Sequence, residues 1–160
     1  MIQKSSKTAR DFIGAWRLIS FEVQTDDGRV IRPFGTDAQG SIIYTDSGRV
    51  SAQVMRSDRP PIAAGDQMKG TSEEMAANYK GCISYFGSYD VDAEGGFVVH
   101  RVESSLFPNW EGEAQKRFFA LEGDRLTLST PPTQWGGGGR VVGVLVWERI
   151  WGTARSPGTT

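Results

Sequence analysis

The chain is predicted to be all-β: a single closed, antiparallel, up-and-down β-barrel of about nine strands with one short inserted helix. Three observations predict it. The first clear strand opens with Gly14-Ala15-Trp16, and the last closes with Trp147-Glu148-Arg149. Between them, short alternating runs are separated by tight turns, with one longer excursion. An indole near the start and a guanidinium near the end suit a barrel floor, where the flat cation covers the ring.

The elements follow in order. Thr8 to Ile13 reads as a short helical turn. Trp16 to Gln24 alternates as a strand and ends at Asp26-Asp27-Gly28, a hairpin turn. Val30 to Arg32 is stopped by Pro33. Gly40 to Thr45 and Arg49 to Arg56 pair across Asp46-Ser47-Gly48. Residues 57 to 70 form a loop rich in Pro and Gly. Thr71 then caps a helix, with Glu74 three residues on as in a capping box. An excursion of this length between strands is either a lid over the barrel mouth or a fixed plug. Strands resume at Cys82 to Val91, Phe97 to Leu106, Gln115 to Leu121, Arg125 to Thr130 and Arg140 to Ile150. The four glycines Gly136 to Gly139 precede a strand and not a helix, so they read as a hairpin loop and not a phosphate loop. The domain plan is an N-terminal segment (1–13), the barrel (14–151) and a flexible tail (152–160).

Composition narrows the function classes. With 18 Lys plus Arg against 19 Asp plus Glu, the net charge is −1, and no basic stripe appears. Nucleic acid and anionic membrane are therefore not expected partners. One His and one Cys do not make a zinc site, so no metal is expected, and no motif calls for a cofactor. The polar N-terminus lacks the apolar core of a signal peptide, and the lone Cys82 forms no intrachain disulfide; both favour the cytoplasm. Cys82 is expected to be an inert core thiol.

With these residues in view, the chain resembles the lipocalin-like domain family within the calycin barrels. The resemblance runs from about Gly14 to Arg149 and includes Pro33-Phe34-Gly35, Gly40-Ser41-Ile42-Ile43-Tyr44-Thr45 and Gly48-Arg49-Val50-Ser51-Ala52-Gln53. It continues through Tyr85-Phe86-Gly87-Ser88-Tyr89, His100-Arg101-Val102-Glu103, Pro108-Asn109-Trp110 and Arg117-Phe118-Phe119. It implies a barrel that encloses a small molecule. Related barrels include both carriers and cofactor-free cyclases or isomerases, so the resemblance implies no single activity.

Strand parity nominates the inner wall. Arg117, Phe119 and Leu121 share a face, as do Leu145, Trp147 and Arg149. Val98, His100, Val102 and Ser104 are taken inward because Arg101 and Glu103 want water. Ile83, Tyr85 and Tyr89 are taken inward on the preceding strand. Trp16 carries Leu18, Ser20 and Glu22 with it, and Ser51, Gln53 and Met55 are favoured on the fourth strand. The candidate ligand contacts are Glu22, Tyr44, Gln53, Met55, Tyr85, His100, Trp110, Arg117, Phe119 and Trp147.

His100, Tyr85 and Arg117 are the candidates for chemistry, by acid–base and electrostatic assistance. Each has a bland alternative. His100 can be a core histidine satisfied by Tyr85 or Gln53, Arg117 can pair with Glu22, and Tyr85 can simply pack. The expected partner is a small apolar or aromatic metabolite with one carbonyl or anionic end. Two functions compete: simple binding, or cofactor-free isomerase, cyclase or lyase chemistry in the same pocket. A homodimer is left open.

Overall fold

A computed structural model describes residues 7–152. Ten strands form one antiparallel sheet: β1 (Gly14–Thr25), β2 (Val30–Ile31), β3 (Gln39–Tyr44), β4 (Arg49–Met55), β5 (Cys82–Asp92), β6 (Phe97–Ser105), β7 (Ala114–Glu122), β8 (Arg125–Ser129), β9 (Thr133–Gln134) and β10 (Arg140–Arg149). The order is β2-β1-β3-β4-β5-β6-β7-β8-β10-β9, and β10 pairs back onto β1. Eight strands therefore close the barrel, and the short β2 and β9 flank it. The Pro131-Pro132 segment follows β8 and leads into β9, a short strand the sequence pattern did not announce. The helices are a four-residue α1 (Ala9–Phe12) and α2 (Ser72–Lys80). Thr71 caps α2 and Glu74 completes the capping box. None of the described helices is long and apolar enough to cross a membrane.

The closed end is assembled from both termini. Trp16 is fully buried, and its indole N–H donates to the carbonyl of Phe12 at 2.9 Å. The Arg149 guanidinium lies 4.1 Å from the centre of the Trp16 ring. Its Nη1 and Nη2 each donate at 2.6 Å, to the carbonyls of Ile13 and Asp11. Asp124 stands 3.5 Å from its Nε. Gly14 has φ +132°, and a Cβ there would sit 3.1 Å from the guanidinium, so glycine is what lets Arg149 reach over the floor. Phe12 fills the space inside, edge-on to Tyr44 and Phe119.

Two bulges reset the faces. In β1, Leu18 is opposite Trp147 but Ser20 is opposite Val146, so Ile19 is an extra residue. Beyond it Phe21 and Val23 are buried and Glu22 points out. In β6, Phe86 is opposite Ser104 but Gly87 is opposite Val102, which makes Glu103 the extra residue. At that place Gly87 lies so close to the Arg101 carbonyl, 1.8 Å from a built Cβ, that no side chain fits.

Candidate functional site

The barrel encloses a cavity of about 850 Å³. Its walls come from alternate residues of the strands: Phe21 and Val23 on β1, Ile42 on β3, Ala52 and Val54 on β4, Leu128 on β8, and Val141, Gly143, Leu145 and Trp147 on β10. Tyr79 and Lys80 of α2, with Phe107, Trp110 and Trp135 from connecting segments, ring the mouth. Trp110 packs edge-on against Tyr85, and Trp135 edge-on against Phe21, so both loop indoles hide their area against the lining. The volume lies within the range of small-molecule pockets, and the walls are mostly apolar with few polar groups.

Two sets of hydrogen-bonded polar side chains stand out, one in the lining and one running from Tyr85 into the core behind it. Glu113, just before β7, and Gln115 and Arg117 on β7 line the cavity. Gln115 Nε2 donates to Glu113 at 3.1 Å, and Arg117 Nη2 donates to Gln115 Oε1 at 3.1 Å. Arg117 Nη1 donates to the Lys116 carbonyl at 2.9 Å. Among the described residues, no salt bridge holds Arg117.

The second set is a buried row. The Tyr44 hydroxyl lies 2.7 Å from His100 Nε2, and the Tyr85 hydroxyl 2.8 Å from His100 Nδ1. His100 is 1% exposed. Burial, reinforced by the Arg117 charge, pushes its pKa down to about 3, so the imidazole is neutral at pH 7. Burial also pushes the Tyr44 and Tyr85 phenols up; at Tyr85 the Arg117 guanidinium opposes that rise.

Tyr85, Arg117 and Trp147, nominated by parity, and Trp110 from a connection all lie in the lining. His100 and Tyr44 are interior but sit behind Tyr85, outside the cavity lining. The partner of His100 across from Tyr85 is Tyr44, not Gln53. Phe119 is likewise not in the lining; it packs on Phe12.

Three nominations are corrected. Glu22 is turned outward by the β1 bulge and pairs with Arg32 at 2.9 Å, not with Arg117. Gln53 and Met55 lie on the outer face of β4, because Val50, Ala52 and Val54 are the buried set. There Gln53 donates to Ser51, and Met55 sulfur accepts from Arg59. Ser104 is also displaced: past the β6 bulge, Ser105 lines the cavity and Ser104 donates to Glu111. Cys82 is half-buried at the cavity wall and not in the core; burial raises its thiol pKa, against the pull of Arg59. Sequence parity missed Phe21 and Val23. An extra residue in β1 leaves no mark beyond two apolar residues falling on the supposed outer face.

A closed eight-strand antiparallel barrel around a ligand-sized, apolar cavity is the architecture of calycin-type binding proteins. The model of the lipocalin-like domain family matches residues 13–150, and the chain belongs to that family. It is also similar to the 4'-hydroxy-3'-methoxypropiophenone carrier protein ppsC of Aspergillus oryzae. The two are 37% identical over 87 residues, covering 51% of this chain and 78% of that protein. Family and relative together indicate small-molecule binding.

Proposed function

We propose that this chain is a carrier that holds a small aromatic ketone inside the barrel. The observation that carries the reading is the cavity: about 850 Å³, walled by aromatic and aliphatic side chains, with Tyr85, Arg117 and Trp147 as its inner polar or amphipathic members. A phenyl ketone fits such walls, and burying its ring is worth roughly 25 cal/mol per Å² of apolar area. The printed name of the Aspergillus oryzae relative, a propiophenone carrier, supports the same ligand class. Arg117 supplies a cation for an anionic or enolic substituent. The lone cysteine favours a cytoplasmic site of action, and the ligand class fits secondary metabolism.

In the competing enzymatic reading Tyr85, which lines the cavity, or His100 behind it exchanges a proton with a substrate, with Arg117 assisting. A neutral imidazole with both nitrogens engaged, outside the lining, argues against that role for His100. The test is a titration with propiophenone followed by quenching of the tryptophans, of which Trp110, Trp135 and Trp147 line the cavity. Saturable quenching with unchanged ligand recovered afterwards supports a carrier. Conversion of the ligand overturns that in favour of an enzyme.

A further inference from the structure

The deep end of the cavity is marked by one residue on each of two opposite strands. Tyr85 is opposite Ala52, Ala52 opposite Ile42, Ile42 opposite Trp16, and Trp16 opposite Arg149. Tyr85 is thus the lining residue of β5 nearest the closed end. Trp147, two residues before Arg149, holds the same position on β10. Between β5 and β10 around the barrel lie three strands on either side, so the two residues face each other across it.

Trp147 is 1% exposed, and its indole Nε1 is buried without a hydrogen-bond partner among the described residues. An indole nitrogen only donates. That nitrogen has no open face on the cavity, so an oxygen of water's size does not reach it, and Tyr85 is the deep-end donor open to a ligand.

The direction of the Tyr85 proton follows from the buried row behind it. A neutral imidazole has one N–H and one lone pair. Were Nε2 protonated, it would donate to Tyr44, and Tyr85 would donate inward to Nδ1. The Tyr44 proton would then have no acceptor, because His100 is the hydrogen-bond partner of that hydroxyl among the described residues. With Nδ1 protonated, Tyr44 donates to Nε2 and Nδ1–H donates to Tyr85, so every proton in the core is used. The Tyr85 hydroxyl then keeps its own proton for the cavity.

We propose that the deep end carries one donor, the Tyr85 hydroxyl, that reads the acceptor oxygen of an uncharged ketone. Tyr85 O–H touches the ligand oxygen, Trp147 walls the opposite side, and Tyr44 and His100 are positioning residues that aim the Tyr85 proton. The proposal rests on the cavity's being the ligand site. It adds a chemical preference: acceptor groups at the deep end are favoured over a purely hydrocarbon terminus.

The test has two arms. His100 is the single histidine, so its two ring nitrogens give the only imidazole signals in nitrogen-15 NMR. Free protein at pH 7 should carry the proton on Nδ1, a result that simple packing of the ring does not require. In the second arm, the probes are propiophenone and n-propylbenzene, which differ in the carbonyl. The intact protein should prefer the ketone by about tenfold, as expected for hydrogen bonding to one buried oxygen. Tyr85→Phe should remove most of that preference, read as the ratio of the two affinities, whereas Trp147→Phe, which alters the wall for both probes, should leave the ratio intact. A proton on Nε2 with ketone preference intact overturns the relay alone. Equal affinities in the intact protein overturn the Tyr85 donor while leaving the carrier reading standing. Binding of neither probe overturns both.

Discussion

Acid should destabilise this barrel through His100, over a window that the buried row defines. In the native fold the imidazole has a pKa of about 3, because burial strips its water and Arg117 repels its cation. In the unfolded chain it returns to about 6.5. Between these values the unfolded state binds a proton that the native state refuses, so stability rises with pH. The contribution is fully present above pH 6.5 and is lost as pH falls towards 3. At about 1.36 kcal/mol per pH unit, the whole window is worth about 5 kcal/mol, and the part between pH 6.5 and 4.5 about 2–3 kcal/mol. Against a total stability of roughly 5–15 kcal/mol, this is a large fraction. The assay is urea unfolding from pH 7 to pH 4 for the intact chain and for His100→Gln. Other carboxylates titrate in both proteins, so the difference between the two curves isolates the imidazole. The intact chain should lose about 2–3 kcal/mol more than the variant by pH 4.5. Parallel curves, or an NMR titration of His100 centred near pH 6.5, would refute the burial argument.

Other consequences can be checked alongside. Arg149→Leu removes two charge-assisted bonds to backbone carbonyls and the cover over Trp16, and should cost about 3–5 kcal/mol in urea unfolding; a loss below about 1 kcal/mol would mean that the closed end is not held this way. Arg117→Leu should weaken an anionic aromatic ligand by about 1.5–3 kcal/mol while sparing a neutral analogue, measured by calorimetry; equal losses would point to damage of the barrel. Residues 57–80 should exchange amide hydrogens faster than β4 and β5 and slow when ligand binds, since α2 buries no residue while Tyr79 and Lys80 line the mouth; exchange as slow as in those strands would identify a fixed plug.

The fold was largely legible because its signals are local. Glycines at turns, paired aromatic and cationic residues at the ends, and the Thr71–Glu74 capping box each act within a few residues. The eight barrel strands follow from them, with the two-residue β9 the one addition. The candidate site was legible where strands are regular. Tyr85, Arg117 and Trp147 fall on the inner face by simple alternation. It failed where alternation is reset. One extra residue at Ile19 moved Glu22 to the surface and brought Phe21 and Val23 inward. On β4 the sequence offered Ser51, Gln53 and Met55 against Val50, Ala52 and Val54. The apolar set won, because the interior strips water from any amide that lacks a partner. His100 was seen to face inward. That Tyr44 would complete its hydrogen bonds depends on a pairing 56 residues apart, which no local pattern carries.

Function in this reading turns on whether the barrel interior receives an aromatic ketone. The most direct measurement is a crystal structure of the chain grown with propiophenone. Electron density for one ligand is expected inside the cavity, its ring between the β1 and β10 walls and its oxygen within hydrogen-bond distance of Tyr85. An interior filled by the protein's own side chains, or ligand found only on the outer surface, would contradict it.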